Sequence, residues 1–237
     1  MSERPVPEVR ADSVAWITTE QMVEVDRIMI EELHIELVQM MENAGRSLAR
    51  LAVLLWDPRT VCVFAGPGGN GGGGLAAARH LANWGVDTRV VTSRPAAEYR
   101  GVPGRQLDSA RRLGIAVVDA PSPPLDLAID AIIGYGLGGP PTGRTAELIE
   151  AVNEGPPPVL ALDAPSGVDT TTGVSPGVAV AADATLTLAT PKVGLRSATG
   201  VGDLYLADIS VPPSVYATVG AAPAPRFGAG SILRVLP

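Results

Sequence analysis

The sequence predicts an α/β protein with a mostly parallel central sheet, and three observations indicate this class. Short apolar runs recur along the chain, and segments with helical spacing of apolar residues separate them. The runs do not alternate between polar and apolar residues, which is typical of parallel strands buried on both faces. The chain has 237 residues, of which 46% are hydrophobic, so it can bury a sizeable core.

The first predicted elements are two amphipathic helices. Thr18 and Gln21 have the spacing of a capping box, so the first helix should begin at this point. Apolar residues then recur at spacings of three and four over residues 22–33 and again over residues 37–51. The pattern breaks at residues 34–35, which separates the two helices.

Strands and helices alternate over the rest of the chain. Residues 66–74 form a glycine-rich segment that we expect to be a loop between the first strand and its helix. The predicted strands are residues 60–64, 88–92, 115–118, 127–133 and 159–162, with two further candidates at 184–189 and 204–209. The predicted helices are residues 75–84, 105–113 and 145–153.

One domain over residues 1–237 is the economical interpretation, since no internal repeat is present. We expect its folded core to span about residues 18–213. The polar N-terminal lead and the Ala/Pro-rich tail after Gly220 are expected to be flexible.

Composition excludes several classes of protein. A net charge of -7 argues against a nucleic-acid binder, which needs a field of Lys and Arg. No apolar stretch is long enough to cross a bilayer, and the polar N-terminus lacks the apolar core of a signal peptide, so we expect a cytoplasmic protein with no membrane partner. The single cysteine, Cys62, excludes an internal disulfide and is expected to be a buried small hydrophobe.

The glycine-rich segment is a candidate phosphate site. Glycines between a strand and a helix let backbone amides approach an anion closely, although a flexible connector is the alternative interpretation. Gly66, Gly68 and Gly71 formally satisfy the dinucleotide-binding pattern G-x-G-x-x-G. The acidic residue that this pattern expects about 20 positions later is missing, which disfavours an ordinary Rossmann oxidoreductase.

Two aspartates follow or end buried strands and are candidate functional residues. Asp163 follows the predicted strand 159–162 and opens a Pro-Ser-Gly turn, where a carboxylate could act as a general acid or base. For Asp130, a catalytic role and a turn-capping role remain open. Lys192 is the only lysine beside seventeen arginines, which points to a site that requires an ammonium group.

Six segments, taken together and in this order, resemble the NAD(P)H-hydrate epimerase family, the YjeF N-terminal domain. They are MENAGR (41–46), GPGGNGGGG with LAAARHL (66–81), DAIIGYGL (130–137), DAPSGVD (163–169), PKVG (191–194) and ADISVP (207–212). The resemblance implies a Rossmann-like three-layer α/β/α sandwich, commonly a homodimer. The activity it implies is epimerisation of the R and S forms of NADHX and NADPHX, the hydrates of NADH and NADPH, at nicotinamide C6. A separate dehydratase would then restore the cofactor.

The resemblance also assigns residues. Asp163 corresponds to the proposed catalytic acid/base. Asn70, Asp130 and Ser166 correspond to ligands of a potassium ion, and oxygen ligands suit such a hard cation. The substrate-binding residues that it implies are Gly69, Asn70, Gly71, Gly72, Gly73, Gly134, Tyr135, Gly136, Leu137, Gly138, Gly139, Pro140, Asp163 and Lys192. Lys192 could offset the pyrophosphate charge or neutralise Asp163, and the sequence leaves both roles open.

Three positions depart from the family pattern. In the glycine loop, Gly69 and Gly73 stand where the family usually has an asparagine and an aspartate, and Tyr135 stands where a small hydroxyl residue is usual. An epimerase is the favoured interpretation. The alternative is a non-catalytic homologue that binds a nucleotide or an ADP-ribose-like ligand.

Overall fold

A computed structural model describes residues 6–237 of the chain. Its centre is a nine-stranded sheet. The strands are β1 (Glu8–Arg10), β2 (Thr60–Ala65), β3 (Asp87–Thr92), β4 (Ala116–Val118), β5 (Leu127–Ala131), β6 (Val159–Leu162), β7 (Ala184–Leu188), β8 (Asp203–Ala207) and β9 (Ile232–Leu236). Their order across the sheet is β1-β9-β8-β7-β6-β5-β2-β3-β4. Every neighbouring pair is parallel except β8 and β9, so the predicted fold class is confirmed.

The helices are α1 (Thr19–Arg27), α2 (Leu37–Trp56), α3 (Gly69–Asn83), α4 (Gly101–Arg112), α5 (Arg144–Glu154) and α6 (Pro213–Thr218). The predicted capping box is present, because the Thr18 hydroxyl accepts from the Gln21 amide and the Gln21 side chain accepts from the Thr18 amide. A π-helical turn, Ile28–Glu32, extends α1 before the predicted break. Within residues 6–237, no helix is long and apolar enough to cross a membrane.

Helices cover both faces of the sheet, which makes three layers. Along β2, Val61 and Val63 point toward the layer formed by α2, α3 and α4, where they join the largest apolar cluster. Cys62 and Phe64 point to the opposite face and pack with α5. Strand side chains alternate between the two faces of a sheet, so this run of apolar residues fills two cores at once.

Both ends of the described chain enter the sheet. We expected a flexible polar lead and a flexible tail after Gly220, but β1 and β9 pair with each other in parallel at the sheet edge. β9 also pairs with β8 in antiparallel fashion, and Leu233 and Val235 are buried there. β1 has only three residues and pairs with a strand at the other end of the chain, so no local pattern indicates it.

Helix α3 begins at Gly69, six residues earlier than predicted. Glycine is a poor helix former, by about 1 kcal/mol per residue relative to alanine, so the sequence indicated a loop. The structure shows what the glycines permit. A side chain on Gly74 would place its Cβ 2.4 Å from the Cβ of Ala131 on β5, and one on Gly71 would lie 1.7 Å from the carbonyl oxygen of Gly66. Close packing of α3 on the sheet therefore overrides the local helix propensity.

Candidate active site

The candidate active site lies at the carboxyl ends of the central strands. β2 lies between β3 and β5 in the sheet. From β2 the chain adds β3 and β4 on one side and then returns to add β5 and the following strands on the other side, so the order in which strands are added reverses at β2. Such a reversal opens a crevice beside the strand ends, where α/β proteins bind their ligands. A cavity of about 500 Å³ occupies this crevice. The strand ends form its floor, α3 begins at its edge, and side chains from α1 and α2 form an apolar wall.

Asp163 faces this cavity from the turn after β6. Its backbone has a φ of 67°, in the left-handed region that aspartate tolerates better than most residues. The residue is 3% exposed. Oδ2 accepts a hydrogen bond from the Tyr135 amide at 3.2 Å, and Oδ1 accepts one from the Leu188 amide at 3.2 Å. The carboxylate is thus held by main-chain amides from two neighbouring strand ends.

Lys192 is the ionic partner of Asp163. Its ammonium group donates to Oδ1 of Asp163, to the Leu188 carbonyl at 2.8 Å and to the Thr187 hydroxyl at 3.4 Å. The lysine is fully buried. The sequence left two roles open for Lys192, to offset the pyrophosphate charge or to neutralise Asp163. Its direct contact with Asp163 favours the second role. All three donors of the ammonium group have acceptors, which is the condition for burying such a charge.

Asp130 and Ser166 form a second buried polar pair beside the cavity. Oδ1 of Asp130 accepts from the Ser166 hydroxyl at 2.5 Å and from the Ile132 amide at 3.2 Å, while Oδ2 accepts from the Ser166 amide at 2.7 Å. Asp130 has no exposed surface. Burial raises the pKa of its carboxyl to about 6, although the hydrogen bonds from Ser166 and Ile132 partly oppose the shift. The hydrogen bonds tie the turn after β6 to the end of β5.

Asn70 lies in the first turn of α3 and lines the cavity. Both polar atoms of its side chain are buried, and neither has a hydrogen-bond partner among residues 6–237. A Cβ built on Gly134 would lie 3.1 Å from Cγ of Asn70 and 3.2 Å from Oδ2 of Asp163, so both side chains adjoin the same glycine. An unsatisfied buried amide is costly and indicates a missing partner.

The donor set of Asn70, Asp130 and Ser166 suits a hard monovalent cation. All three offer oxygen atoms, and the Asp130 carboxylate forms no ion pair within the described part of the chain. The described residues contain no cluster of three or more His, Cys, Asp or Glu side chains that could hold a metal ion. The buried Asp130 carboxylate and the unpartnered Asn70 amide are each of a chemistry that suits the potassium ion implied by the family resemblance.

The structure brings about half of the expected substrate-binding residues to the cavity wall. Those that line it are Gly69, Asn70, Gly73, Gly134, Tyr135, Gly136, Asp163 and Lys192. Those outside the wall are Gly71, Gly72, Leu137, Gly138, Gly139 and Pro140. Gly71 and Gly72 pack against the Gly66 backbone and the Met41 side chain, respectively. Substrate contact by the residues outside the wall stays a prediction.

Sequence reasoning did not identify Asp26 as a site residue. It lies on α1, lines the cavity and accepts a hydrogen bond from the Tyr135 phenol. Met22 and Ile30, one helical turn before and after it, line the same cavity. A carboxylate within an apolar helical stripe is the signal that could have indicated this residue, because such a face is normally buried.

Comparison with known proteins identifies the family. The family description "YjeF-related protein N-terminus" matches residues 37–194, which is more than half of the chain. This chain belongs to the YjeF N-terminal family. The stretch includes the cavity-lining parts of α2 and α3, the strand ends of β5 to β7 and Lys192. The family resemblance that the six motifs indicated is thus confirmed.

Relatives within the YjeF N-terminal family carry related names. A protein of Dehalogenimonas lykanthroporepellens named NAD(P)H-hydrate epimerase is 47% identical, over 88% of this chain and 87% of its own length. A Bifunctional NAD(P)H-hydrate repair enzyme Nnr of Hyperthermus butylicus is 41% identical over 80% of this chain, which corresponds to 37% of that longer protein. The crystal structure of yeast ynu0, YNL200c, has a TM-score of 0.81 and 21% identity, and covers 92% of this chain and 99% of that one. At that identity, the yeast structure supports the shared fold.

Proposed function

We propose that this protein is an isomerase that interconverts the R and S forms of NADHX and NADPHX at nicotinamide C6. The observation that carries the proposal is the buried Asp163–Lys192 pair, which lies at the wall of the cavity beside the N-terminus of α3. The similarity to a protein named NAD(P)H-hydrate epimerase, over 88% of this chain, supports the same reaction.

The start of α3 is suited to the phosphates of this substrate. No side chain caps the helix at Gly68, so its first amides have no side-chain acceptor. Free amides and the helix dipole together attract anions at a helix N-terminus. Gly68 and Gly69 both line the cavity, and the absence of side chains there lets a pyrophosphate approach the backbone. The apolar wall from α1 and α2 suits the hydrated nicotinamide ring.

Asp163 is the group that exchanges a proton with the oxygen on C6. That carbon carries a hydroxyl next to the ring nitrogen, and hydroxide is a poor leaving group unless it is protonated. A proton delivered to this oxygen lets it leave as water, while the nitrogen lone pair forms a flat iminium-like ring. Water then adds to the other face and gives the opposite configuration. Positioned acid–base catalysis of this kind contributes about 10²- to 10⁴-fold in rate.

Lys192 is a positioning residue for Asp163. It anchors the carboxylate at Oδ1 and leaves Oδ2 as the oxygen available to substrate, since among residues 6–237 Oδ2 has only the Tyr135 amide as its partner. Residues Asn70, Asp130 and Ser166 would hold potassium, which when bound supplies positive charge next to the buried Asp130 carboxylate.

The other expectations concern partners. A dehydratase that acts on the same hydrates is the pathway partner that we propose, and the name of the bifunctional relative supports a linked second activity. The homodimer and the cytoplasmic location stay predictions.

The function is tested by following the interconversion of purified R- and S-NADHX by chromatography, corrected for the spontaneous reaction. Wild-type protein is expected to accelerate it, and Asp163→Asn is expected to lower the rate by about 10²-fold or more while retaining substrate binding. Asparagine tolerates the left-handed backbone at this position, so the turn should persist. No acceleration by folded wild-type protein, with nucleotide binding still present, would instead support a non-catalytic homologue.

A further inference from the structure

The cavity holds a second carboxyl group that the mechanism above does not use. Asp26 reaches it from α1, the helix that packs over the strand ends. Its side chain is half-buried and accepts a hydrogen bond from the Tyr135 phenol. The other acidic residues of α1 differ, because Glu20 and Glu24 do not line the cavity and Glu24 pairs with Arg27 instead.

Tyr135 connects the two carboxyl groups of the cavity. Its backbone amide donates to Oδ2 of Asp163 at 3.2 Å, and its phenol donates to Oδ2 of Asp26. Both carboxyl groups therefore belong to the wall of the same cavity, and each is held by a different group of the same tyrosine.

The two carboxyl groups have different surroundings. Asp163 has the Lys192 ammonium group as its partner, whereas Asp26 forms no ion pair among residues 6–237. Burial raises the pKa of Asp26, and the nearby charge of Asp163 acts in the same direction, although the Tyr135 phenol and Lys192 oppose the shift. Carboxyl groups whose environments differ in this way commonly take the acid and base roles of one reaction.

We propose that Asp26 is a second catalytic residue, which exchanges protons on the face of C6 opposite to Asp163. The proposal rests on the epimerase function proposed above. In one direction, the Asp26 carboxyl group gives its proton to the C6 hydroxyl, and the C–O bond breaks with its electron pair leaving in water. A new water adds on the other face, its oxygen bonds to C6, and its proton passes to the Asp163 carboxylate. In the other direction the roles exchange, so one water leaves and one enters without oxidation or reduction.

Inversion at one carbon gives a second carboxyl group a role, because water leaves from one face and enters from the other. A single acid can remove and replace water on its own face, but this exchange restores the starting configuration. Enzymes that invert glycosides use the same logic, with two carboxyl groups about 6.5–9.5 Å apart on opposite faces of the sugar carbon. We assign Asp26 and Asp163 the same two roles for a carbon that likewise bears oxygen next to a second heteroatom.

The test separates oxygen exchange from inversion. R- or S-NADHX is incubated with full-length protein in ¹⁸O-labelled water, and mass spectrometry measures the label in each separated epimer, corrected for the spontaneous reaction. For Asp26→Asn, we expect inversion to fall by about 10²-fold or more, while label still enters through Asp163 when the starting epimer is the one whose hydroxyl lies on the Asp163 face. The ratio of exchange to inversion should therefore rise at least 10-fold above the wild-type ratio.

Two further variants complete the test. Asp26→Glu keeps a carboxyl group and is expected to lower the ratio again toward that of wild type, which a merely structural role would not produce. Glu24→Gln, on the same helix but outside the cavity, should leave both rates within twofold of wild type. An unchanged ratio in Asp26→Asn, or a high ratio that persists in Asp26→Glu, overturns the role of Asp26. Wild-type protein that accelerates neither process overturns the epimerase function itself, and with it this proposal.

Discussion

The ammonium group of Lys192 lies against Oδ1 of Asp163, and both side chains are almost completely removed from solvent. The lysine side chain is 0% exposed and the aspartate side chain 4%. Each charge therefore depends on the other and on the surrounding main-chain groups. The contact joins the start of the PKVG motif to the turn after β6, so it serves both the stability of the fold and the orientation of the proposed acid/base.

Lys192→Met should lower the free energy of unfolding by about 3–5 kcal/mol, because it leaves a buried carboxylate without its cation. Urea denaturation measures this change. The double variant Lys192→Met/Asp163→Asn removes both charges and should be more stable than Lys192→Met. The outcome that would contradict this is additivity, in which the double variant loses as much free energy of unfolding as Lys192→Met and Asp163→Asn lose in sum. The two charges would then not depend on each other.

Gly74→Ala should destabilise the protein even though alanine is the better helix former. The new methyl group would lie 2.4 Å from the Cβ of Ala131 and 3.2 Å from Cγ1 of Val63, so α3 would have to move away from the sheet. Overpacking typically costs about 1–3 kcal/mol, and the helix propensity returns at most about 1 kcal/mol. Thermal unfolding should show a lower Tm for this variant.

Gly228→Ala provides the matched control for that change. A Cβ at Gly228 meets no atom within 4 Å, so its Tm should stay close to that of wild type. A Tm for Gly74→Ala equal to or above that of wild type would show that α3 is not pressed against β5 in solution.

The thiol of Cys62 should be unreactive in the folded protein. The residue is 1% exposed on β2, and burial raises its pKa to about 12. Because the thiolate is the reactive form, the shift lowers its population at pH 8 by roughly 10³-fold relative to a free cysteine. Titration with a thiol-specific disulfide reagent should detect one thiol per chain in denaturant and almost none without it. Rapid reaction of native protein would contradict this burial.

The sequence predicted best those elements whose pattern is local. β6 was predicted with the bounds that the structure has, and most other central strands within one or two residues, because runs buried on both faces are visible in the sequence itself. The start of α3 was not predicted, since packing against Ala131 decides it rather than the propensity of its glycines. β1 was missed because its three residues pair with a strand at the other end of the chain, and β9 was missed because it follows the Ala/Pro-rich segment whose composition suggested a flexible tail.

Some residues of the candidate site could be predicted from local sequence, and others could not. Asp130 and Asp163 were predictable, because the carboxyl ends of parallel strands converge at one edge of a sheet. Asp26 was not, because its relation to the site depends on how α1 packs over the strand ends and on the Tyr135 contact. The sequence shows that Tyr135 departs from the family pattern but not which residue its phenol contacts.

Potassium should stabilise the wild-type protein through Asn70, whose side-chain oxygen and nitrogen are both buried without a partner. A ligand that binds only the folded state adds about 2.7 kcal/mol at 100 times its dissociation constant. The Tm should therefore be higher in potassium chloride than in choline chloride at equal ionic strength. Asn70→Ala should lose this difference.

A sharper test compares the stability of Asn70→Ala with that of wild type in choline chloride, where no potassium is present. Removing an unsatisfied buried amide recovers about 1–3 kcal/mol of desolvation cost, and alanine is also the better helix former in α3, so Asn70→Ala should there be more stable than wild type. Asn83→Ala, at the exposed far end of the same helix, should leave the potassium response unchanged. Equal Tm values for wild-type protein in the two salts would mean that the Asn70 amide does not serve a cation.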